Sequence, residues 1–295
     1  MNISLNTNFA TPMSIPYTNL QLIADAGFTH IHWSNHWNDD YLYGKYELAE
    51  IKRRLQETGL KLLDIHGSSG VEKAWFSENE TCRKAGVELV ANRLRLQRDL
   101  EGENVVMMHI PGNLEDTAED QKEITKQRQD ALKRSLTELM PIINETHVPL
   151  AVENLSWHQT SWNFIEELMA EFPADKLGIC YDSGHDNFSK CALKYFRKNR
   201  NRITAVHLND NDGKSDLHQP PFYGTVDWDI VTDILADSSY NALLSFELTI
   251  KNTPFMDPNF NITKQPLENY QHFLADAYKR CQKICIAVDR KRAHK

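Results

Sequence analysis

Leu177-Gly178-Ile179-Cys180-Tyr181-Asp182-Ser183-Gly184-His185 is the stretch on which the fold turns. Its first five residues are apolar on both faces and too few for a typical helix, which is the signature of a strand buried in a parallel sheet. A carboxylate, a hydroxyl, a glycine and an imidazole follow at once. The same grammar recurs along the chain. Leu62–Ile65 runs into His66-Gly67, and Val105–Met108 into His109-Ile110-Pro111-Gly112. Val148–Val152 runs into Glu153-Asn154, Ile203–Val206 into His207-Leu208-Asn209-Asp210, and Leu243–Phe246 into Glu247. Ile3–Phe9 is expected to be a first strand. Phe28–His32 is expected to be a second, with one face toward water because polar residues alternate through it.

Amphipathic segments separate these runs. Leu48, Ile51 and Leu55 recur at helical spacing, as do Leu132, Leu136 and Leu139, and Trp228, Val231 and Leu235 behind a cap at Asp227. A last helix is expected to start near Pro266, with Leu267, Tyr270, Leu274 and Ala277 on one face. About eight β-then-α units, with no low-complexity linker and no glycine-rich phosphate loop after the first strand, favour a closed barrel over a doubly wound sheet. The fold expected is therefore α/β, a (β/α)8 TIM barrel forming a single domain over residues 1–295.

Composition excludes other classes. The 33 Lys+Arg and 41 Asp+Glu leave a net charge of −8, which opposes a broad nucleic-acid surface. Met1–Asn6 has neither a basic region nor an apolar run, so no secretory signal is expected, and no segment is apolar enough for a membrane span. Five scattered cysteines suit reduced thiols and a cytoplasmic location. Cys281 and Cys285, four apart, read as packing on one helix face.

In a barrel the carboxyl ends of the strands converge on one rim, where active sites of this fold lie. Six successive strands here end in a metal-competent side chain, and the loop after His207 adds Asp216-Leu217-His218. Several carboxylates buried together repel one another unless cations neutralise them, so a metal centre follows from the grouping. Imidazole and carboxylate donors without thiolate suit zinc, manganese, cobalt or ferrous iron. His32 and Trp33, near the second strand's end, and Trp157 with His158, after Glu153, are expected to line a substrate pocket with His66 and His109. Lys214 is a candidate for holding an anionic substrate group.

These motifs resemble the xylose isomerase-like TIM-barrel superfamily, which holds sugar and sugar-phosphate isomerases and epimerases and the endonuclease IV type of apurinic-site nuclease. The resemblance spans almost the whole chain and is most specific at Tyr181–His185 and His207–Trp228, where Pro220-Pro221, Gly224 and Asp227-Trp228 also fit. Tyr223-Gly224-Thr225 departs from it where a Gly-Glu-Gly element would be expected. For the sugar-enzyme branch, the resemblance implies one divalent ion (manganese, zinc or cobalt) held by Glu153, Asp182, His207 and Glu247. Glu153 and Glu247 would be acid and base about a metal-stabilised cis-enediolate, with His185 beside a substrate oxygen. For the nuclease branch it implies three zinc ions on these four residues plus His66, His109, His185, Asp216 and His218. The sugar branch is favoured, because a nuclease needs a cationic track and Gly67–Gly70 supplies no wedge. The expected partner is a small carbohydrate, with homo-oligomers common in the superfamily. A metal-loaded binding module without turnover is a third class, which the paired glutamates oppose.

Overall fold

The computed structural model describes residues 1–10, 17–111, 119–155, 159–189 and 192–294. The strands are β1 (Ser4–Asn6), β2 (His30–Trp33), β3 (Lys61–His66), β4 (Val106–Met108), β5 (Leu150–Glu153), β6 (Leu177–Asp182), β7 (Ile203–His207) and β8 (Ser245–Phe246). All pair in parallel, in the order β7-β6-β5-β4-β3-β2-β1-β8. The seam between β7 and β8 is closed one residue past β7. Leu208 bridges Phe246, its N–H donating to Ser245 O at 3.0 Å while the Glu247 N–H donates to Leu208 O at 3.2 Å. Eight strands in a closed parallel ring form a single TIM barrel domain, as the repeated grammar of the sequence predicts.

The helices among the described residues are α1 (Tyr17–Asp25), α2 (Lys45–Thr58), α3 (Glu80–Asp99), α4 (Glu119–Thr146), α5 (Gln159–Glu171), α6 (Ser183–Ser189), α7 (Ala192–Asn199), α8 (Trp228–Asp237) and α9 (Leu267–Ala293). The expected apolar stripes face the sheet: Ile51 and Leu55 on α2, Leu132, Leu136 and Leu139 on α4, Val231 and Leu235 on α8. Asp227 caps α8, accepting from Ile230 N at 3.1 Å. Pro266 precedes α9, whose buried face runs from Phe273 through Cys281 and Cys285 to Val288. Leu267 is 60 % exposed and lies off that face, because the buried stripe is set one turn farther along.

Two layers of packing follow from strand alternation. Leu150, Val152, Ile179 and Tyr181 join the large core between barrel and helices. Val105, Met107, Ala151, Cys180 and Ala205 form a separate small cluster inside the barrel. Continuing the inner set by two residues leads from Ala151 to Glu153, from Cys180 to Asp182 and from Ala205 to His207. On β5, β6 and β7 the inside is therefore apolar at mid-height and metal-competent at the carboxyl rim. β2 corrects the expectation of a wet face, since all four of its residues are buried.

Candidate active site

Glu153, Asp182, His207 and Glu247 offer one ligand atom each within 4.8 Å of one another. They come from the ends of β5, β6 and β7 and from the residue after β8, places that adjoin only because the sheet closes. His207 Nδ1 lies 2.8 Å from Glu153 Oε1 and 3.1 Å from Glu247 Oε2. Two further groups flank this one at the same spacing, His66–His109–Glu153 and His185–Asp216–His218. His109 Nε2 is 2.9 Å from Glu153 Oε2, and Asp216 Oδ2 is 3.1 Å from His218 Nε2 and 3.5 Å from His185 Nε2.

Backbone carbonyls orient three of these imidazoles. Nδ1–H of His66 donates to Gly67 O at 3.0 Å, that of His185 to Asn154 O at 3.0 Å, and that of His218 to Glu247 O at 3.2 Å. Each bond turns Nε2 toward the cluster, and for the neutral His66 it also fixes the tautomer, the arrangement that metal-ligating histidines adopt. The donor set fits a divalent ion on this geometry. Three carboxylates, Glu153 and Asp182 buried and Glu247 13 % exposed, share one position with a single imidazole, an excess of negative charge that burial makes costly.

The charges divide unevenly. Burial opposes ionisation of Glu153, but His207 and His109 outweigh it and hold the carboxyl well below its usual range. Glu247 is likewise lowered against burial, chiefly by His207. Asp182 is pushed up to about 6 by burial, with His185 acting in the opposite direction. His66 is lowered by burial and by the neighbouring His109, so its imidazole is neutral. His218 is raised to about 10, because Asp216 and Glu247 overcome the cost of burying its charge. Cys180 Sγ also lies within 4.8 Å of donors on Glu153 and His207, although the sequence presents it as plain strand core. Burial pushes its thiol up, so it sits among the donors protonated.

Amide side chains lace the rim together. Asn154 Oδ1 accepts from Asp182 N at 2.7 Å and its Nδ2 donates to Asp182 O at 3.0 Å, locking β5 to β6. Asn209 Nδ2 donates to Asp182 Oδ2 at 2.8 Å. Gly184 packs so closely that a Cβ there would stand 1.9 Å from Asn209 Oδ1. Asp210 organises the loop that carries Asp216 and His218. Its buried carboxylate accepts from the backbone N–H groups of Asn211, Phe222 and Val226 and from the Trp228 indole, all between 2.9 and 3.0 Å. That frame holds His218 at φ 46 and Phe222 at φ 70, left-handed conformations that side chains rarely adopt unaided. Asp210→Ala strands four donors, so a loss of about 3 kcal/mol is expected in urea unfolding, with the His185–Asp216–His218 group dispersed.

The substrate-facing expectations divide. His66 and His109 stand at the cluster. Trp33 does not, because it is fully buried and its indole donates to Tyr43 Oη at 2.9 Å on the outer side of β2. Trp37, four residues on, takes the aromatic place, its ring centroid 4.9 Å from that of His66 and 5.5 Å from that of His109. His32 is fully buried with Nδ1 2.8 Å from Asp64 Oδ1, its ring packs 4.4 Å from that of His207, and it offers a donor within 4.8 Å of donors on His207 and Glu247, so it stands at the ion-competent group. His30 begins the strand and faces Glu103 at 3.2 Å. Lys214 is exposed on the β7–α8 loop. Trp157, His158 and Cys191 lie outside the described residues. No helix among those residues is long and apolar enough to cross a membrane.

The sequence model of the xylose isomerase-like TIM barrel family matches residues 20–274. The uncharacterized protein y4fM of Sinorhizobium fredii is 31 % identical over 250 residues, 77 % of this chain and 79 % of its own length. Among solved structures, a D-tagatose 3-epimerase-like protein superposes with a TM-score of 0.74 at 18 % identity, covering 99 % of both chains. An L-ribulose 3-epimerase reaches 0.72 at 18 % identity over 99 % of this chain and 96 % of that one. The IOLI protein with a bound zinc atom reaches 0.66 at 16 % identity over 99 % of both.

Proposed function

This chain belongs to the xylose isomerase-like TIM-barrel family, and from that premise we propose that it is a divalent-metal-dependent sugar isomerase or epimerase. The observation that carries the reading is the pair Glu153 and Glu247, which reach the same imidazole nitrogen from β5 and β8 at 2.8 and 3.1 Å. A proton moved between two faces of a carbon, or between adjacent carbons, needs two titratable groups at one site, and this pair supplies them. Both are held ionised, ready to accept a proton.

Glu153, Asp182, His207 and Glu247 would hold the ion, with zinc, manganese or cobalt suited to the donors. When bound, it supplies Lewis acidity that lowers the cost of negative charge on a ketone oxygen and its neighbouring hydroxyl. The protein's own groups carry the proton. One glutamate removes it from the carbon beside the ketone, and the other, which must first take up a proton from solvent, delivers that proton to the opposite face or the adjacent carbon. His185, its Nδ1–H fixed on Asn154 O, holds a substrate oxygen. Similarity in fold to a D-tagatose 3-epimerase-like protein and an L-ribulose 3-epimerase supports a sugar substrate. Incubation with ketohexoses in D2O is the test. Deuterium at the carbon beside the ketone is expected, and its absence across a broad panel of ketoses with metal-replete protein overturns the reading.

A second reading has its own observation. The groups His66–His109–Glu153 and His185–Asp216–His218 complete a nine-residue set for three zinc ions, as in an apurinic-site phosphodiesterase. Three zinc ions per chain, together with cleavage of DNA bearing an abasic site, would move the assignment there.

A further inference from the structure

β2 and β3 do not keep one register along their length. His30 pairs with Lys61 and Ile31 with Leu62, then a residue is skipped and His32 pairs with Asp64. Without that shift His32 would lie beside Leu63. Irregularities of this kind re-aim side chains and gather near active sites. This one sets an imidazole beside a carboxylate, both fully buried, with Nδ1 2.8 Å from Oδ1. We propose that His32 is a fifth ligand of the divalent ion, presented by Asp64, so that the ion meets two imidazoles rather than one. The inference rests on the metal dependence of the proposed enzyme and deepens it by setting which ion the site prefers.

The first argument is an unmet nitrogen. A carboxylate oxygen accepts, so His32 Nδ1 carries the hydrogen, and in the neutral ring Nε2 carries the lone pair. That Nε2 is buried and has no hydrogen-bond partner. Roughly nine in ten buried polar groups have one. A histidine kept only for packing gains nothing from a bare nitrogen, whereas a metal ligand needs it.

Position is the second. His32 offers a donor atom within 4.8 Å of donors on His207 and Glu247, two of the four residues of the central group. Nitrogen and oxygen ligands sit about 2.0 to 2.2 Å from a zinc-sized ion, so two of them can stand up to about 4.4 Å apart. Small side-chain rotations therefore bring the His32 donor to the same centre. Because the two groups share His207 and Glu247, a separate ion for His32 would have to share both ligands and stand against a like charge. One ion serves both groups.

Asp64 supplies the third. A metal-ligating histidine donates its other N–H to a carboxylate or a carbonyl, which orients the ring and raises its basicity. Asp64 stands in that relation to His32, as the carbonyls of Gly67, Asn154 and Glu247 do to His66, His185 and His218. Asp64 Oδ2 has no hydrogen-bond partner, so nothing on that oxygen competes with the imidazole for the carboxylate. The consequence is selectivity. A second imidazole favours zinc or cobalt over manganese, which prefers oxygen donors.

The test uses chelator-stripped protein reloaded with one equivalent of Zn²⁺, as wild type, His32→Gln and Asp64→Asn. Glutamine keeps an amide to donate to Asp64 but has no imidazole, and asparagine keeps an acceptor for His32 Nδ1–H but no charge. X-ray absorption fine structure at the zinc edge counts imidazoles, competition titrations give the Zn²⁺ and Mn²⁺ affinities, and thermal melting of the metal-free chains checks folding. Two imidazoles are expected in the wild type and one in His32→Gln. Zinc affinity is expected to fall at least about tenfold in each variant, and manganese affinity by less. One imidazole in the wild type, or two that persist in folded His32→Gln, overturns the proposal. So does a loss for zinc no larger than that for manganese, which assigns His32 to packing. If His32→Gln does not fold, Asp64→Asn decides, and unchanged zinc affinity there overturns the proposal. Deuterium exchange separates the two readings. A one-imidazole ion in a chain that exchanges a ketose overturns His32 as a ligand and leaves the sugar enzyme standing. Two imidazoles, lost as expected in the variants, with no exchange of any ketose keep the ligand and overturn the sugar reading.

Discussion

Glu153→Gln and Glu247→Gln are each expected to lower epimerisation or isomerisation by roughly a thousandfold or more, the scale of a lost general acid or base. Glutamine keeps the shape and one oxygen of each side chain but cannot accept the proton. The two variants should also differ in kind. If one glutamate serves each face of the substrate carbon, each variant retains slow deuterium exchange with one epimer and loses it with the other. Because both carboxylates belong to the ion-competent group, metal content must be measured beside exchange. A variant that keeps its ion and loses exchange has lost a base. One that loses both has lost a ligand. Wild-type exchange in both variants would sink the two-glutamate chemistry.

Why the barrel was legible and the pocket was not comes down to range. A parallel strand buried on both faces leaves a short apolar run, and its end leaves an abrupt polar residue, so β3 to β8 announce themselves within a few residues. The rim ligands follow, because alternation on β5, β6 and β7 carries Glu153, Asp182 and His207 inward with Ala151, Cys180 and Ala205. The same alternation, applied more strictly, puts Cys180 beside Asp182 rather than in the outer core. Trp33 shows where local pattern fails. Its strand neighbour His32 points into the barrel, so Trp33 must point out. The tryptophan that reaches the site stands four residues later, in a loop whose path is held by Arg93, 57 residues downstream of His36. No periodicity carries that information. Asp210 is similar. The His207-Leu-Asn-Asp motif draws attention to it, yet its partners Phe222 and Trp228 become visible only once the loop has folded back.

Chelation is expected to abolish exchange, and one divalent ion per chain is expected to restore it. The ligand groups predict that number by their charge. The group of Glu153, Asp182, His207 and Glu247 has three carboxylates against one imidazole, and each alternative to an ion leaves buried negative charge poorly compensated. Asp182 bears the strain, its carboxyl pushed up to about 6 by burial. The outer group is balanced differently. Against the cost of burial, His185 is raised first by Asp182 and then by Asp216, and His218 by Asp216 and Glu247, while Asp216 is lowered by the two imidazoles, so this group's charges are met by its own members and their acidic neighbours without a cation. Glu153 is common to the central group and to the group of His66 and His109, so filling both requires one carboxylate to serve two ions. The central position therefore fills first. An ion present at a hundred times its dissociation constant stabilises the folded chain by about 2.7 kcal/mol, which corresponds to roughly 5 °C in melting temperature for a chain of this size. Asp216→Asn should leave the ion count at one, whereas Asp182→Asn should lower it together with that gain in melting temperature. Three zinc ions on the purified protein, reduced by Asp216→Asn, would reverse the ranking of the groups and favour phosphoester hydrolysis.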